Sequence, residues 1–234
     1  MSREGMDIDE LAAFLNKDVR KVFKMAGKGL IPGRKVAGEW RFHSSEINYW
    51  IENQLLDQEE ETLAHLETHA PSLCDRGLLV AKLLPENCIA NPLKASTRAS
   101  VLRELVNLAD LSLNVYDHTA IHQALVSREL LASTALPGGV AFPHPHRPIP
   151  NSLGESVLAL GIVPGGIPFG SPDGRLTDVF FLVCCTDELT HLQALARITR
   201  LIRREGFLDS LRLLSHGMDI WHLIRAEELA LVAS

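Results

Sequence analysis

The chain has 234 residues, 46% apolar and 22% charged, enough material for a buried core and for one large domain or two small ones. No apolar run approaches the ~20 residues that cross a bilayer, and the polar, acidic start MSREGMDIDE is unlike a signal peptide, which points to a cytoplasmic protein without membrane insertion. The net charge of −6 speaks against nucleic acid on average. That average hides a local excess: Lys17, Arg20, Lys21, Lys24, Lys28, Arg34, Lys35 and Arg41 face only Asp18 and Glu39 over the same stretch. The cysteines, Cys74, Cys88 and the adjacent Cys184 and Cys185, contain no C-x-x-C spacing. Neighbours on a strand point to opposite faces, so buried free thiols are expected rather than a metal clip.

Asp7 and Glu10 stand three apart before the apolar-periodic Leu11, Ala12, Phe14 and Leu15, a helix start of the capping-box kind. Asn16 and Lys17 form a short turn, after which Asp18 caps a second helix with Val19, Val22, Phe23 and Ala26 inward. Lys17, Lys21, Lys24 and Lys28 recur at i, i+4, i+7 and i+11, one basic stripe. Gly27 and Gly29 end this helix. A basic hairpin over 30–42 turns at Ala37 and Gly38, and a last helix from Ser44 or Ser45 to about Leu56 buries Ile47, Trp50 and Ile51. It can also be read as continuing past Glu61 to Leu66, although its apolar spacing breaks at Asp57 to Glu61. Helix, tight turn, basic helix and basic hairpin follow in winged helix-turn-helix order. The second helix is then expected in the major groove, with the hairpin on the adjacent backbone.

The segment GLIPGRKVAGEWRF strengthens this reading, since it resembles the GxLP…VGG-x-WR pattern of the excisionase/MerR-like DNA-binding family. The resemblance covers about the first 55 residues; Asn16-Lys17-Asp18 replaces the usual Gly-Val-Ser turn, which Asn and Asp both tolerate. DNA contacts are expected from the eight basic residues named above. So small a module makes few phosphate contacts, so a homodimer is expected. Residues 1–56 form this module, 57–76 an acidic, solvated linker, and 77–234 a second domain.

In the second domain, helices and strands interleave. Ser96 is placed to cap a helix containing Val101, Leu102, Leu105, Val106 and Leu108, and Asp117 a second with Ile121, Leu125 and Val126. Strands are expected at 139–142, 157–163 and 178–185, a third helix over 190–204, and a fourth near Asp219. This order implies an α/β layered domain whose buried central sheet is flanked by helices.

Two histidines invite chemistry. Gly138 to His144 reads as a glycine turn, a short apolar strand, then Pro143 and His144. Proline ends the strand and fixes the next residue. A histidine there has a packed back and an open front: one ring nitrogen faces solvent while the other is held by a hydrogen bond. A plain surface histidine in a proline-rich loop fits the same residues. His191 falls in the first turn of the third helix, where a Thr190–Gln193 capping box and the helix dipole favour an anion. A surface histidine at a helix start is again the bland reading.

Four segments in unbroken order, LLPENCIANPLKASTRASVLRELVNLA, SRELLASTALPGGVAFPH, VLALGIVPGGIPFGSPDGRLTDVFFLV and THLQALARITRLI, resemble the phosphotransferase-system enzyme IIA domain of the fructose–mannitol type, including its nitrogen-regulatory relatives. The resemblance runs from about Gly77 to Leu213. It implies a mixed central sheet and a phosphorylated His144, with Arg128 and His191 stabilising the phosphoryl group. His146, Ser133 and Thr134 are its expected neighbours. No metal or nucleotide cofactor is implied. The expected partners are the phosphocarrier HPr or a paralogue, DNA, and a IIB protein or other regulated protein. After Pro143-His144 the family usually carries glycine and a small polar residue, whereas Pro145, His146, Arg147 and Pro148 follow here.

The leading expectation is a regulator that couples phosphorylation of His144 to DNA binding. One alternative is a sugar-transport component passing phosphate to a IIB protein. Another is a sensor that no longer accepts phosphate, which Pro145 and His146 favour. A zinc hydrolase built on His144, His146 and His191 is a fourth, weakened by the lack of a carboxylate base in the loop.

Overall fold

The computed structural model describes residues 5–68, 78–149 and 151–233. Cys74 and the linker residues 69–76 lie outside them.

The first module opens with a short strand, β1 (Gly5–Met6), and helix α1 (Ile8–Phe14). The Asp7 carboxylate accepts the Glu10 backbone N–H while the Glu10 side chain accepts that of Asp7, the reciprocal box expected. Asn16 turns the chain in the left-handed region, φ 49°, and Asp18 caps α2 (Val19–Gly27) through the N–H groups of Arg20 and Lys21. The hairpin follows as β2 (Arg34–Val36) and β3 (Glu39–His43). Its two-residue turn needs positive φ at both centres, met by Ala37 at 53° and Gly38 at 89°. β1 joins the far side of β3 to make a three-stranded antiparallel sheet. Helix α3 (Ser44–Asn53) buries Ile47 and Ile51, and the half-buried Trp50 donates its indole N–H to the Leu30 carbonyl at 2.8 Å.

Several expectations need correction here. Val19 and Phe23 of α2 are 39% and 56% exposed; only Val22 and Ala26 are buried, so the packing stripe is narrower than its sequence period suggested. The basic stripe is also divided. The Lys17 ammonium packs against Thr62 at 3.2 Å and Glu59 at 3.8 Å, and Lys21 reaches Glu59 at 3.4 Å. Helix α3 does not continue past Glu61. It stops at Asn53, a single 3-10 turn covers Leu55–Asp57, and a separate helix, α4 (Glu60–Thr68), begins beyond.

Nor is the described part of the acidic stretch a solvated linker. Helix α4 packs against α8 (Glu188–Arg203), and Glu60 and Glu67 answer the basic residues of α8 while Glu59 turns to Lys17 and Lys21. Glu67 is buried and accepts from Arg197 at 2.7 Å and Arg200 at 2.7 Å. Arg200 also meets Glu60, and Arg203 donates to the carbonyls of Leu55, Leu56 and Gln58.

The second domain runs α5 (Val80–Leu83), β4 (Ile89–Ala90), α6 (Arg98–Asp110), α7 (His118–Leu131), β5 (Ala135–Leu136), β6 (Val140–Ala141), β7 (Val157–Ile167), β8 (Thr177–Cys184), α8, α9 (Phe207–Leu213) and α10 (Gly217–Ala233). The sheet order is β4-β7-β8-β6-β5. β4/β7 and β6/β8 pair parallel, β7/β8 and β5/β6 antiparallel, so the sheet is mixed as expected. The runs 157–163 and 179–184 are buried without alternation because helices cover both faces; α6 lies on β7 and α8 on β8. Cys88, Cys184 and Cys185 are buried free thiols, and burial pushes the Cys184 thiol up to about 12.

Two caps differ from expectation by a few residues. Thr97, not Ser96, caps α6, in a reciprocal box with Ser100. Asp187, not Thr190, caps α8 through the Thr190 N–H at 2.8 Å. The Thr190–Gln193 box does not form: the Thr190 hydroxyl donates to Asp187, and the Gln193 amide donates to the Glu67 carbonyl. A carboxylate nearer the helix start is the stronger acceptor, so it displaces the hydroxyl from the capping position.

Candidate functional site

The site grows from the β5–β6 hairpin. Gly138 and Gly139, φ 89° and 84°, turn it. A Cβ on Gly139 would stand 2.8 Å from Asp178 and 3.0 Å from Arg212, so the tight turn requires glycine at that position. β6 then pairs with the central β8, and Pro143 closes it by giving its carbonyl to the Val183 N–H at 3.0 Å. This anchors His144 at the strand end. Its Nδ1 lies 2.6 Å from the Phe142 carbonyl. A carbonyl only accepts, so Nδ1 carries the proton and the lone pair of the neutral ring is on Nε2.

The expected open front is closed. His144 is only 4% exposed, and what covers it comes from the first module. Glu52 of α3 places Oε2 3.4 Å from His144 Nε2 and Oε1 3.1 Å from His191 Nε2. The two imidazole centroids stand 5.0 Å apart. Burial pushes the Glu52 carboxyl up, but the two imidazoles beside it, His144 and His191, outweigh it and hold the group well below the usual carboxylate range. Burial pushes the His144 imidazole down, and Arg128 and His191 act in the same direction against the opposing pull of Glu52.

The α3 contacts share one stripe. Ser45, Asn48, Tyr49 and Glu52 recur at i, i+3, i+4 and i+7. Ser45 accepts from Arg147 at 3.3 Å, and Asn48 donates to Glu188 at 3.2 Å. The Tyr49 ring takes the Arg128 guanidinium at 5.4 Å on its face and the His146 ring edge-on at 5.1 Å. Ile47, Trp50 and Ile51 occupy the opposite side, with Ile47 and Ile51 inside the hydrophobic core and Trp50 packed against it. Glu52 and Tyr49 were not identified from the sequence. The signal available was this second, cation-free stripe on a helix already read as amphipathic.

The expected site residues divide accordingly. His144 and His191 come together around Glu52. Arg128 is buried, donates to the Ala132 carbonyl at 3.0 Å, and lies close enough for its charge to act on His144. His146 packs on Tyr49. The other two hydroxyls are committed elsewhere: Ser133 donates to the Phe169 carbonyl at 2.8 Å and Thr134 to Glu129 at 2.7 Å. The His191 N–H is not a free anion donor either, since it bonds the Asp187 carbonyl at 3.2 Å. In the first module, Arg20, Lys24, Lys28, Arg34 and Lys35 are exposed, Lys35 lies over the Trp40 ring at 5.4 Å, and Arg41 pairs with Glu39 at 2.8 Å. Among the described residues no helix is long and apolar enough to cross a membrane.

A helix-turn-helix module followed by a mixed-sheet domain with a histidine at the end of an inner strand defines the class: an enzyme IIA-like domain carrying an N-terminal helix-turn-helix. Residues 82–227 match the phosphoenolpyruvate-dependent sugar phosphotransferase system EIIA 2 model, and residues 6–55 a helix-turn-helix model. The chain belongs to the EIIA 2 family. It is 30% identical over 147 residues to a nitrogen regulatory protein of Bradyrhizobium diazoefficiens, covering 62% of this chain and 94% of that one. It is 28% identical over 128 residues to the fructose-specific EIIABC component of Bacillus subtilis, covering 54% of this chain and a fifth (20%) of that relative. The crystal structure of the nitrogen regulatory protein IIA-Ntr from Neisseria meningitidis shares the fold, with a TM-score of 0.57 at 21% identity, covering 63% of this chain and 99% of that one.

Proposed function

We propose that this protein is a phosphotransferase-linked regulator: His144 accepts a phosphoryl group on Nε2 from HPr or a paralogue, and the modification changes how the helix-turn-helix module is held. The observation that carries the reading is Glu52, a carboxylate from the first module standing in front of Nε2 of the expected acceptor. In-line transfer needs that space, and a phosphoryl group placed there would face the anion with about −1.5 to −2 charges of its own. Phosphorylation and the closed docking therefore exclude each other. Arg128, now stacked on Tyr49, and His191, now bonded to Glu52, are released to hold the phosphoryl oxygens. Charge state at His144 becomes position of α3, and with it freedom of the DNA-binding module in the cytoplasm.

Incubation of the full chain with enzyme I, phosphoenolpyruvate and HPr tests the acceptor. One acid-labile phosphoryl group by intact mass is expected, lost in His144→Ala and retained in His146→Ala. No gain in the wild type, with an ordinary enzyme IIA labelled in parallel, favours the phosphate-blind sensor, for which Pro145 and His146 are the supporting feature.

DNA contact is expected from the exposed residues Arg20, Lys24, Lys28, Arg34 and Lys35, with Lys17 and Lys21 joining once Glu59 moves away and Arg41 once it exchanges its exposed pair with Glu39 for a phosphate. Each phosphate contact removed reduces the slope of log affinity against log salt by about 0.9. The double variant Lys24→Ala/Arg34→Ala is expected to flatten the slope by about twice that in a fluorescence-anisotropy titration against duplex DNA. An unchanged slope would place the DNA surface elsewhere. A homodimer would double the contacts. A second reading, transport, rests on the similarity to the fructose EIIABC component; transfer from His144 to a IIB protein at catalytic rates supports it.

A further inference from the structure

The buried contact between the modules contains an unmet demand. His144 Nδ1 faces a carbonyl and must carry the proton, so Nε2 of the neutral ring presents a bare lone pair. What it meets, at 3.4 Å, is a carboxylate oxygen, another acceptor. His144 Nε2 and Glu52 Oε2 face each other at 3.4 Å without closing a well-formed hydrogen bond, no other group among the described residues bonds either atom, and the side chains are 4% and 3% exposed. Two acceptors held face to face away from water call for a cation between them, a proton or a metal ion.

We propose that Glu52, His144 and His191 form a binding site for a divalent transition-metal ion of the zinc class that ties the helix-turn-helix module to the enzyme IIA-like domain. The three residues offer one ligand atom each, all within 4.8 Å of one another. Around a tetrahedral ion with bonds of about 2.0–2.1 Å, neighbouring ligand atoms stand about 3.3 Å apart. Glu52 Oε1 stands 3.1 Å from His191 Nε2 and Oε2 3.4 Å from His144 Nε2, so each histidine has a carboxylate oxygen at close to that spacing. Two histidines and a carboxylate with one position left for water is a known zinc donor set. The support of His144 also fits, because a metal-ligating histidine characteristically gives its other N–H to a backbone carbonyl, here that of Phe142. His191 supplies Nε2 with its proton on Nδ1.

The ligands come from both modules, so the ion stabilises only the closed arrangement. His144 Nε2 is a ligand here and the phosphoryl acceptor in the proposed function, so metal and phosphoryl group compete for one lone pair. Only that competition rests on the phosphorylation reading; metal binding does not.

The full chain, purified without a histidine tag and stripped with chelator, is titrated with Co2+ and then Zn2+. Visible absorption and metal content after gel filtration are the readouts. One Co2+ per chain with an intense four-coordinate spectrum, displaced by one Zn2+, is expected. Glu52→Ala and His191→Ala should each weaken binding by roughly a hundredfold or more, since even loss of a supporting residue costs about ten- to a hundredfold. Glu52→Gln, which keeps the shape of the side chain, should weaken it too, and His118→Ala should not. Failure of the wild type to retain stoichiometric metal would overturn the site. So would equal retention by Glu52→Ala, since the ion would then belong to one module alone. Metal retention without phosphoryl uptake leaves the site standing while the phosphorylation reading falls; uptake without metal retention does the reverse.

Discussion

Glu52→Ala is expected to take up a phosphoryl group from phospho-HPr at least about tenfold faster than the wild type. The Glu52 carboxylate bridges two buried histidines and blocks Nε2 of the expected acceptor. Truncating one partner of a buried charged contact costs the interface about 2–5 kcal/mol, and every 1.4 kcal/mol is a factor of ten in the closed–open ratio. The variant leaves Ser45, Asn48 and Tyr49 in place, so the module can still dock, but less often. Glu52→Gln keeps the volume while losing the charge and should fall between the two. Rapid-quench labelling followed by intact mass measures all three. Equal initial rates would mean that the docked helix does not gate the histidine. Labelling only in Glu52→Ala would mean that the closed form is the resting state and needs a second signal to open.

Glu228→Ala carries the largest expected stability loss, about 3–5 kcal/mol, because it removes one partner of a buried ion pair and leaves three buried backbone N–H groups without an acceptor. Glu228 of α10 is fully buried and accepts the backbone N–H groups of Leu79, Val80 and Ala81 at 2.7, 2.8 and 2.9 Å. It also meets the Arg197 guanidinium at 2.9 Å. One carboxylate thus satisfies the start of α5 and neutralises a cation on α8. Arg197 in turn holds Glu67 of α4, so the same group ties three helices of the second domain to the end of the first module's connector. Urea denaturation followed by fluorescence of Trp221, whose indole donates to the Ala81 carbonyl at 3.1 Å, reads the change. A loss below about 1 kcal/mol, the size of an ordinary net hydrogen bond, would show that water reaches the freed groups.

Most of the secondary structure was legible because its signals are local. The Asp7–Glu10 box, the Asn16 turn, the Asp18 and Asp117 caps and the Ala37–Gly38 hairpin turn each depend on a few adjacent residues, and each forms where expected. The unbroken apolar runs in β7 and β8 likewise announced strands covered on both faces. Where two capping groups lay close together, at Ser96–Thr97 and Asp187–Thr190, sequence alone did not rank them; helix phase and the stronger acceptor did. The expected acceptor His144 and its companion His191 were legible from the strand end, the helix start and the family pattern.

Long-range placement was not legible. The acidic stretch after Asp57 reads as a solvated linker until α8 supplies Arg197, Arg200 and Arg203, residues far along the chain, as counter-charges to Glu60 and Glu67. The lysine stripe reads as free until Glu59 turns back onto Lys17 and Lys21. Glu52 carries no local signal, and nothing within a few residues of it points to a histidine pair in another domain. Amino-acid sequence by itself determined the two modules, their element types and the histidine at the strand end, because capping, turn geometry and apolar period act over a few residues. Only the tertiary structure decided that the histidine is covered, and by what, because that depends on how two independently patterned surfaces meet.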